Sequence, residues 1–235
     1  MKAKYYTNTG KQRNTNQDGI IIDNLIVTES MESPQQIESN IQVTCIADGM
    51  GGKKQGEIAT QIWLKNLSKS NINNQDKLKI TLENTQNMLK NIDTGCATAG
   101  IVFANENFVF NVGDCRVYKK EGEFLNKLTH DHSVIQQLID SGEITEEESI
   151  FHPKGHILTS AIMPDIEVQI YMRKIKIFED DIFFLCSDGI WGEFEIEELE
   201  KCFKINDIEV INDALEKVLK TKKQKDNLSY ILLKV

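Results

Sequence analysis

The pattern of the chain predicts a mixed α+β fold in which largely antiparallel sheet is covered by helices, and three observations carry that expectation. Short runs rich in Ile, Val and Phe stop abruptly at Gly or Asp. Between them lie stretches whose apolar residues recur at helical spacing. The order runs from strands to two consecutive helices, back to strands, and ends helix to strand. That is not the regular alternation of a parallel, doubly wound sheet.

Taken in order, the β-branched and aromatic runs predict strands over 19–26, 41–47, 98–104, 108–112, 181–186 and 228–235. Helical spacing predicts helices over 56–67, 75–91, 133–141, 196–203 and 208–220. In the second of these, Leu78, Leu82, Met88 and Leu89 form a stripe suited to core packing. The segment 28–40 is polar, contains Pro34 and has no hydrophobic period, so a loop or long hairpin tip is expected there. No internal repeat, low-complexity tract or linker interrupts the chain. With 235 residues, 40% of them hydrophobic and 27% charged, a single domain over 1–235 with a large core is expected.

The formal net charge of -9 disfavours nucleic acid and anionic membrane as partners, because phosphate-rich surfaces reward clustered Lys and Arg. The basic cluster at 220–225 is broken by Thr221 and Gln224 and reads as a solvated helix end. No apolar run approaches the roughly 20 residues that span a bilayer, and residues 1–11 lack the apolar core of a signal peptide. A cytoplasmic monomer is expected. The five cysteines are odd in number and form no CxxC pair, which favours reduced, buried thiols over a disulfide framework or a zinc site.

The aspartates carry the chemistry. Asp48 ends VTCIAD and precedes GMGG; Asp114 follows FVFNVG; Asp188 ends IFFLCSD and precedes Gly189; Asp226 lies in KDN before LSYILLKV. Each acid borders an apolar strand, and three have an adjacent glycine that lets backbone approach a ligand closely. Carboxylates gathered on one rim repel and resist desolvation unless a cation neutralises them. An all-oxygen set suits Mg²⁺ or Mn²⁺ better than zinc. Arg13, in RNTNQD, lies five residues before Asp18, and a guanidinium there can grip a phosphoryl oxygen bidentately.

With these residues in view, the chain resembles the metal-dependent type 2C (PPM) protein serine/threonine phosphatases in their compact bacterial form. The resemblance runs in order through RNTNQD, ADGMGG, the G-C-A-T-A segment, VGDCRVY, LTHDHSVIQQLIDSGEI, HILTSAI, LCSDGIWGEF and KDNLSYILL. It implies a four-layer α-β-β-α sandwich of two mainly antiparallel sheets, with a binuclear centre in a cleft at one end. It further implies that Asp48 bridges two Mn²⁺ or Mg²⁺ ions, that Gly49 offers its carbonyl to one, and that Asp188 and Asp226 bind the other. Asp114 is similar to the acid that helps hold a third, weaker ion. Asp18 is similar to the residue that binds metal-held water, Arg13 to the phosphate-gripping arginine, and Asn227 to a support for Asp226. The implied reaction is direct attack on phosphoserine or phosphothreonine by a hydroxide shared between the ions. Phosphorylated proteins, a partner Ser/Thr kinase among them, are the implied substrates. A pseudophosphatase that keeps the fold as a binding module is the alternative; a nuclease is disfavoured by the acidic charge.

Departures from that pattern are local. Met50 stands where many eukaryotic members carry a histidine that is a general-acid candidate, which leaves leaving-group protonation to metal-bound water. Gln17 stands where the family often has Glu, so one outer negative charge is missing. Gly95-Cys96-Ala97-Thr98 and Ile162-Met163 change packing positions. His130 and His132 are expected to brace loops, and His152 and His156 to flank the cleft in a flap.

Overall fold

In a computed structural model the chain is described over residues 1–50, 55–149, 152–155 and 157–235. Twelve strands are described: β1 (Lys2–Asn8), β2 (Asp18–Ile22), β3 (Leu25–Val27), β4 (Gln35–Glu38), β5 (Val43–Gly49), β6 (Cys96–Val102), β7 (Phe108–Val112), β8 (Arg116–Glu121), β9 (Phe124–Lys127), β10 (Tyr171–Lys174), β11 (Ile182–Cys186) and β12 (Leu228–Lys234). The helices are α1 (Gly56–Lys69), α2 (Gln75–Leu89), α3 (Val134–Asp140), α4 (Glu146–Ser149), α5 (Asp188–Trp191), α6 (Ile196–Cys202) and α7 (Ile208–Leu219). Three helices start where a short polar side chain accepts a backbone N–H of the first turn: Asn74 from Lys77, Ser133 from Gln136 and Asp207 from Glu209. Among the described residues, no helix is long and apolar enough to cross a membrane.

The strands form two six-stranded antiparallel sheets, ordered β4-β1-β12-β11-β8-β9 and β10-β7-β6-β5-β2-β3. Period-2 alternation sends each central strand's side chains to two different apolar layers. From β11, Phe183 and Leu185 point between the sheets, while Ile182, Phe184 and Cys186 point outward. From β12, Ile231 and Leu233 go inward, and Leu228, Tyr230 and Leu232 go outward. The inward set meets Ile20, Ile22, Ile46, Ala97, Ala99 and Ile101 of the second sheet. The outward layer of the first sheet is covered by α6 and α7 through Leu199, Ile211 and Leu215. The outer face of the second is covered by α1 and α2 through Trp63, Leu64, Leu78 and Leu89. The result is the four-layer α-β-β-α sandwich.

Several local expectations need correction. The strand expected over 19–26 is two strands, β2 and β3, reversed at Asp23, whose φ of 53° starts the turn. The segment 28–40 is not all loop, because β4 pairs with the edge of β1. Strands β1, β8, β9 and β10 and the one-turn helices α4 and α5 add to the expected set. Within α2, Met88 is 58% exposed; Thr81 and Thr85 fill the buried face beside Leu78, Leu82 and Leu89. Each threonine bonds back to the carbonyl four residues earlier, which satisfies its hydroxyl inside the layer. All five cysteines are free and buried.

Phe184 is the central ring of the outer layer on the first sheet, fully buried and in contact with Tyr118, Phe203 and Tyr230. Phe184→Ala is expected to cost about 3–5 kcal/mol, the usual loss for emptying an aromatic core site. Chemical denaturation of the two proteins measures it; a loss under about 1 kcal/mol contradicts this view of the layer.

Candidate metal centre

Ladder register brings the acids to one end of the sandwich. Antiparallel pairing of β2 with β5 sets Asp18 directly opposite Asp48, and β5 against β6 sets Gly49 opposite Cys96. Directly opposed residues share a face of the sheet. Both carboxylates lie in step with Ile20, Ile22 and Ile46, which point between the sheets. The turn from β7 to β8 carries Asp114 to the same end, since Val112 pairs with Thr98 and Arg116 with Cys186. Asp188 follows β11 and Asp226 precedes β12, where Cys186 pairs with Tyr230. Five loops thus meet at one rim.

Backbone crowding fixes two of these acids. A Cβ on Gly189 would lie 1.9 Å from the Asn227 carbonyl, so a glycine is required for α5 to start against the turn before β12. A Cβ on Gly49 would lie 2.5 Å from the carbonyl of Gly56, the first residue of α1. The expected ligand carbonyl of Gly49 therefore sits in a strand end pressed against a helix start.

Asp18 and Asp114 are buried, whereas Asp48, Asp188 and Asp226 keep partial exposure, giving a cleft with a closed floor and an open mouth. Burial, opposed by the nearby Ser229 and Ser187 hydroxyls, pushes the Asp18 carboxyl up to about 7. Burial and then the neighbouring Asp18 charge raise Asp48 well above the carboxylate range. Burial and Asp188 do the same to Asp114, and burial and Asp226 raise Asp188. Asp48 and Asp188 are near neighbours, and their interaction raises Asp48 while lowering Asp188.

The donor set fits a hard divalent cation. Its members are carboxylates that disfavour one another's charge, and Asp18 Oδ1 is buried with no hydrogen-bond partner. Among the described residues no three His, Cys, Asp or Glu side chains already stand around one point as a closed ligand group. Without a cation, mutual repulsion opposes such closure.

Arg13 lies at the rim, but its expected phosphate-gripping guanidinium donates from Nη2 to Asp226 Oδ2 at 2.6 Å. The same guanidinium feels Asp188 and Asp48. Asn227 braces the site through backbone: its amide donates to the carbonyls of Thr9 and Thr15, and its Oδ1 accepts from Gln17 N. Its own N–H donates to Asp226 Oδ1 at 2.9 Å.

Gln17 proves to be a junction. Its carbonyl accepts from Gly49 N and from Thr60 Oγ1, and its carboxamide donates to Glu57 Oε2 at 3.0 Å. The first turn of α1 thus brings a carboxylate beside the position where an acid is missing from the sequence. The GEIATQ stretch read only as a helix, so Glu57 was not singled out; an acid in a first helical turn is ordinarily a dipole-stabilising residue.

His130 pairs with Asp140 at 2.8 Å, and His132 Nδ1 accepts from Gly113 N at 3.2 Å, beside the Asp114 turn. His152 Nδ1 accepts from Lys154 N within its own turn. Met50 donates its N–H to the carbonyl of Gly95. Gly51 and Gly52 of the GMGG motif and His156 lie outside the described residues.

No family profile matches the chain. Over 223 residues it is 27% identical to the serine/threonine phosphatase stp of Listeria monocytogenes, covering 87% of this chain and 83% of that protein. The chain is similar to bacterial serine/threonine phosphatases. Its fold superposes on the PPM Ser-Thr phosphatase MsPP of Mycobacterium smegmatis, solved with cacodylate, with a TM-score of 0.82 at 22% identity over 99% of this chain and 97% of that one. A second match is the catalytic domain of the phosphatase PstP in complex with two manganese ions, with a TM-score of 0.72 at 22% identity over 99% of this chain and 98% of that one. The two antiparallel sheets flanked by helices are those the motif order implied.

The raised acids set the pH response of chelator-treated protein. A carboxyl whose folded pKa lies above its unfolded value of 3.8 keeps its proton longer when folded. The folded state therefore binds more protons between about pH 4 and pH 7, and stability falls as pH rises through that window. Thermal melts in excess EDTA are expected to give a higher Tm at pH 5.5 than at pH 8, and Mn²⁺ at pH 8 to restore the loss. A flat EDTA profile contradicts the uncompensated cluster.

Proposed function

We propose that this phosphatase removes phosphate from phosphoserine and phosphothreonine in proteins with a centre of two Mn²⁺ or Mg²⁺ ions and a third, weaker one. The observation that carries the reading is the meeting of Asp18, Asp48, Asp114, Asp188 and Asp226 at one rim, four of them with carboxyls raised by burial and by one another, which Arg13 at Asp226 only partly offsets. When bound, the ions supply charge neutralisation and a water of lowered pKa as nucleophile.

The chain's own residues divide the work by position. Asp48 faces Asp18 and neighbours Asp188, so it would serve both ions, with the Gly49 carbonyl beside it. Asp188 and Asp226 flank Gly189 and serve the second ion. Asp18, with Oδ1 free and Oδ2 held by the Ser187 hydroxyl at 2.8 Å, orients water from the closed side. Asp114 serves the third ion. Arg13 Nη2 is held at the mouth by Asp226, and a phosphoryl group can take the other donors of the guanidinium. The described side chains that meet at the rim offer carboxylates and no neutral imidazole, which leaves protonation of the departing alkoxide to water.

The complete carboxylate set gives a binding-module reading no support. Substrates are phosphoproteins, and a Ser/Thr kinase is the partner class proposed; the chain acts as a cytoplasmic monomer.

Purified protein with Mn²⁺ is expected to release phosphate from phosphoserine and phosphothreonine peptides. Asp48→Asn is expected to fall below about a thousandth of wild-type kcat/KM, a loss of roughly 4 kcal/mol in transition-state stabilisation. Arg13→Ala is expected to lose about 10- to 100-fold in kcat/KM, the scale of a bidentate phosphate contact. Wild-type protein inert toward phosphopeptides at saturating Mn²⁺ refutes the reading.

A further inference from the structure

Asp114 sits in the three-residue connection 113–115, which starts at Gly113 with a φ of +85°. Gly113 is held from one side, its N–H donating to His132 Nδ1 and its carbonyl accepting from His132 N and Asn111 Nδ2. Asp114 itself is held from the other side by the indole of Trp191, whose Nε1 donates to the Asp114 carbonyl at 2.9 Å. Trp191 closes the one-turn helix α5 that Asp188 opens, so one rigid turn carries a site acid at its start and the tether of another at its end.

The indole is itself held. The Arg116 guanidinium lies 3.6 Å from the centre of the Trp191 ring, within stacking and cation–π range. Arg116 donates from Nε and Nη2 to Asp131 Oδ2 at 2.9 and 2.7 Å, and from Nη1 to Tyr118 OH at 3.1 Å. Asp131 and Tyr118 are buried, so the guanidinium plane is fixed by three bonds before it meets the ring. Trp191 is partly exposed, and its indole N–H is directed at the backbone of a site acid.

We infer that Arg116 and Trp191 are positioning residues that lock Asp114 to Asp188, so that the weakest cation site forms only while this clamp is closed. This rests on the metal-dependent reading above. Neither residue touches the reacting atoms; both act through where Asp114 is held.

The test uses Trp191→Phe, which keeps a ring for Arg116 and removes the N–H. Calorimetric titration with Mn²⁺ is expected to show the tighter sites unchanged and the weakest site weakened about tenfold. The Mn²⁺ concentration for half-maximal activity is expected to rise by a similar factor, with kcat at saturating Mn²⁺ near wild type. In an Asp114→Asn background, Trp191→Phe is expected to have no further effect on the isotherm. Arg116→Lys, which keeps charge but loses the planar fork, reads the same clamp from its other side and is expected to match Trp191→Phe. An unchanged isotherm in both variants overturns the inference, as does equal weakening of every site with a lowered Tm, the mark of a purely structural role. Wild-type protein that binds no Mn²⁺ overturns the phosphatase reading and the inference together, whereas wild-type binding with unaltered variants overturns the inference alone.

Discussion

The structure depends on the placement of Asp18 opposite Asp48 between two apolar sheets. A carboxylate pair in that position is costly, because burial disfavours each charge and each charge disfavours the other. The surroundings are arranged to hold the pair without neutralising it. Ser187 donates to Asp18, Ser229 N donates to the Ser187 hydroxyl, and the Ser229 hydroxyl pairs with Thr7, which accepts from Asn16. This relay crosses from one sheet to the other and closes on the loop that leads into Asp18. It leaves Asp18 Oδ1 bare, and a bare buried oxygen is stable only where a water or cation completes it.

From that constraint the rest of the rim follows. The relay requires β2, β11 and β12 to end at a common level, which the registers of β2 with β5 and of β11 with β12 provide. Common level forces close backbone approach, hence glycine at 49 and 189. Close approach leaves turns too short to support themselves by ladder bonds. Side chains from elsewhere therefore brace them: Asn227 the segment from Thr9 to Gln17, Gln17 the end of β5, Trp191 the Asp114 turn. The hydrophobic layers are conventional, and the specificity of the site lies in these polar braces.

The expectations drawn from sequence succeeded where physics is local. Strands β5, β6, β7, β11 and β12 are buried on both faces, so each is a continuous apolar run with an acid or glycine as an abrupt stop. The signal for the site was the same stop. Strand β1 escaped notice because its exposed side is polar: Lys2, Lys4 and Tyr6 alternate with Ala3, Tyr5 and Thr7, and its place is set by pairing with β12, more than two hundred residues away. The edge strand β4, with exposed Gln35, Gln36 and Glu38, has Ile37 as its single apolar residue, too little for a period. One-turn α5 has too few residues for a period.

The braces were illegible for a different reason. A tryptophan three residues after an aspartate reads as core, and an arginine two residues after another reads as surface charge; neither spacing indicates that the two side chains stack and that one bonds to the carbonyl of an acid seventy-seven residues away. Gln17 shows the converse. In sequence it is a missing carboxylate, whereas in space Glu57 stands 3.0 Å from its carboxamide, so the acid reaches the rim from a helix instead of a strand. A charge that must be present at a centre is constrained in position but not in the segment that delivers it. Motif order therefore locates the acids borne by strand ends, and the helices contribute what motif order omits.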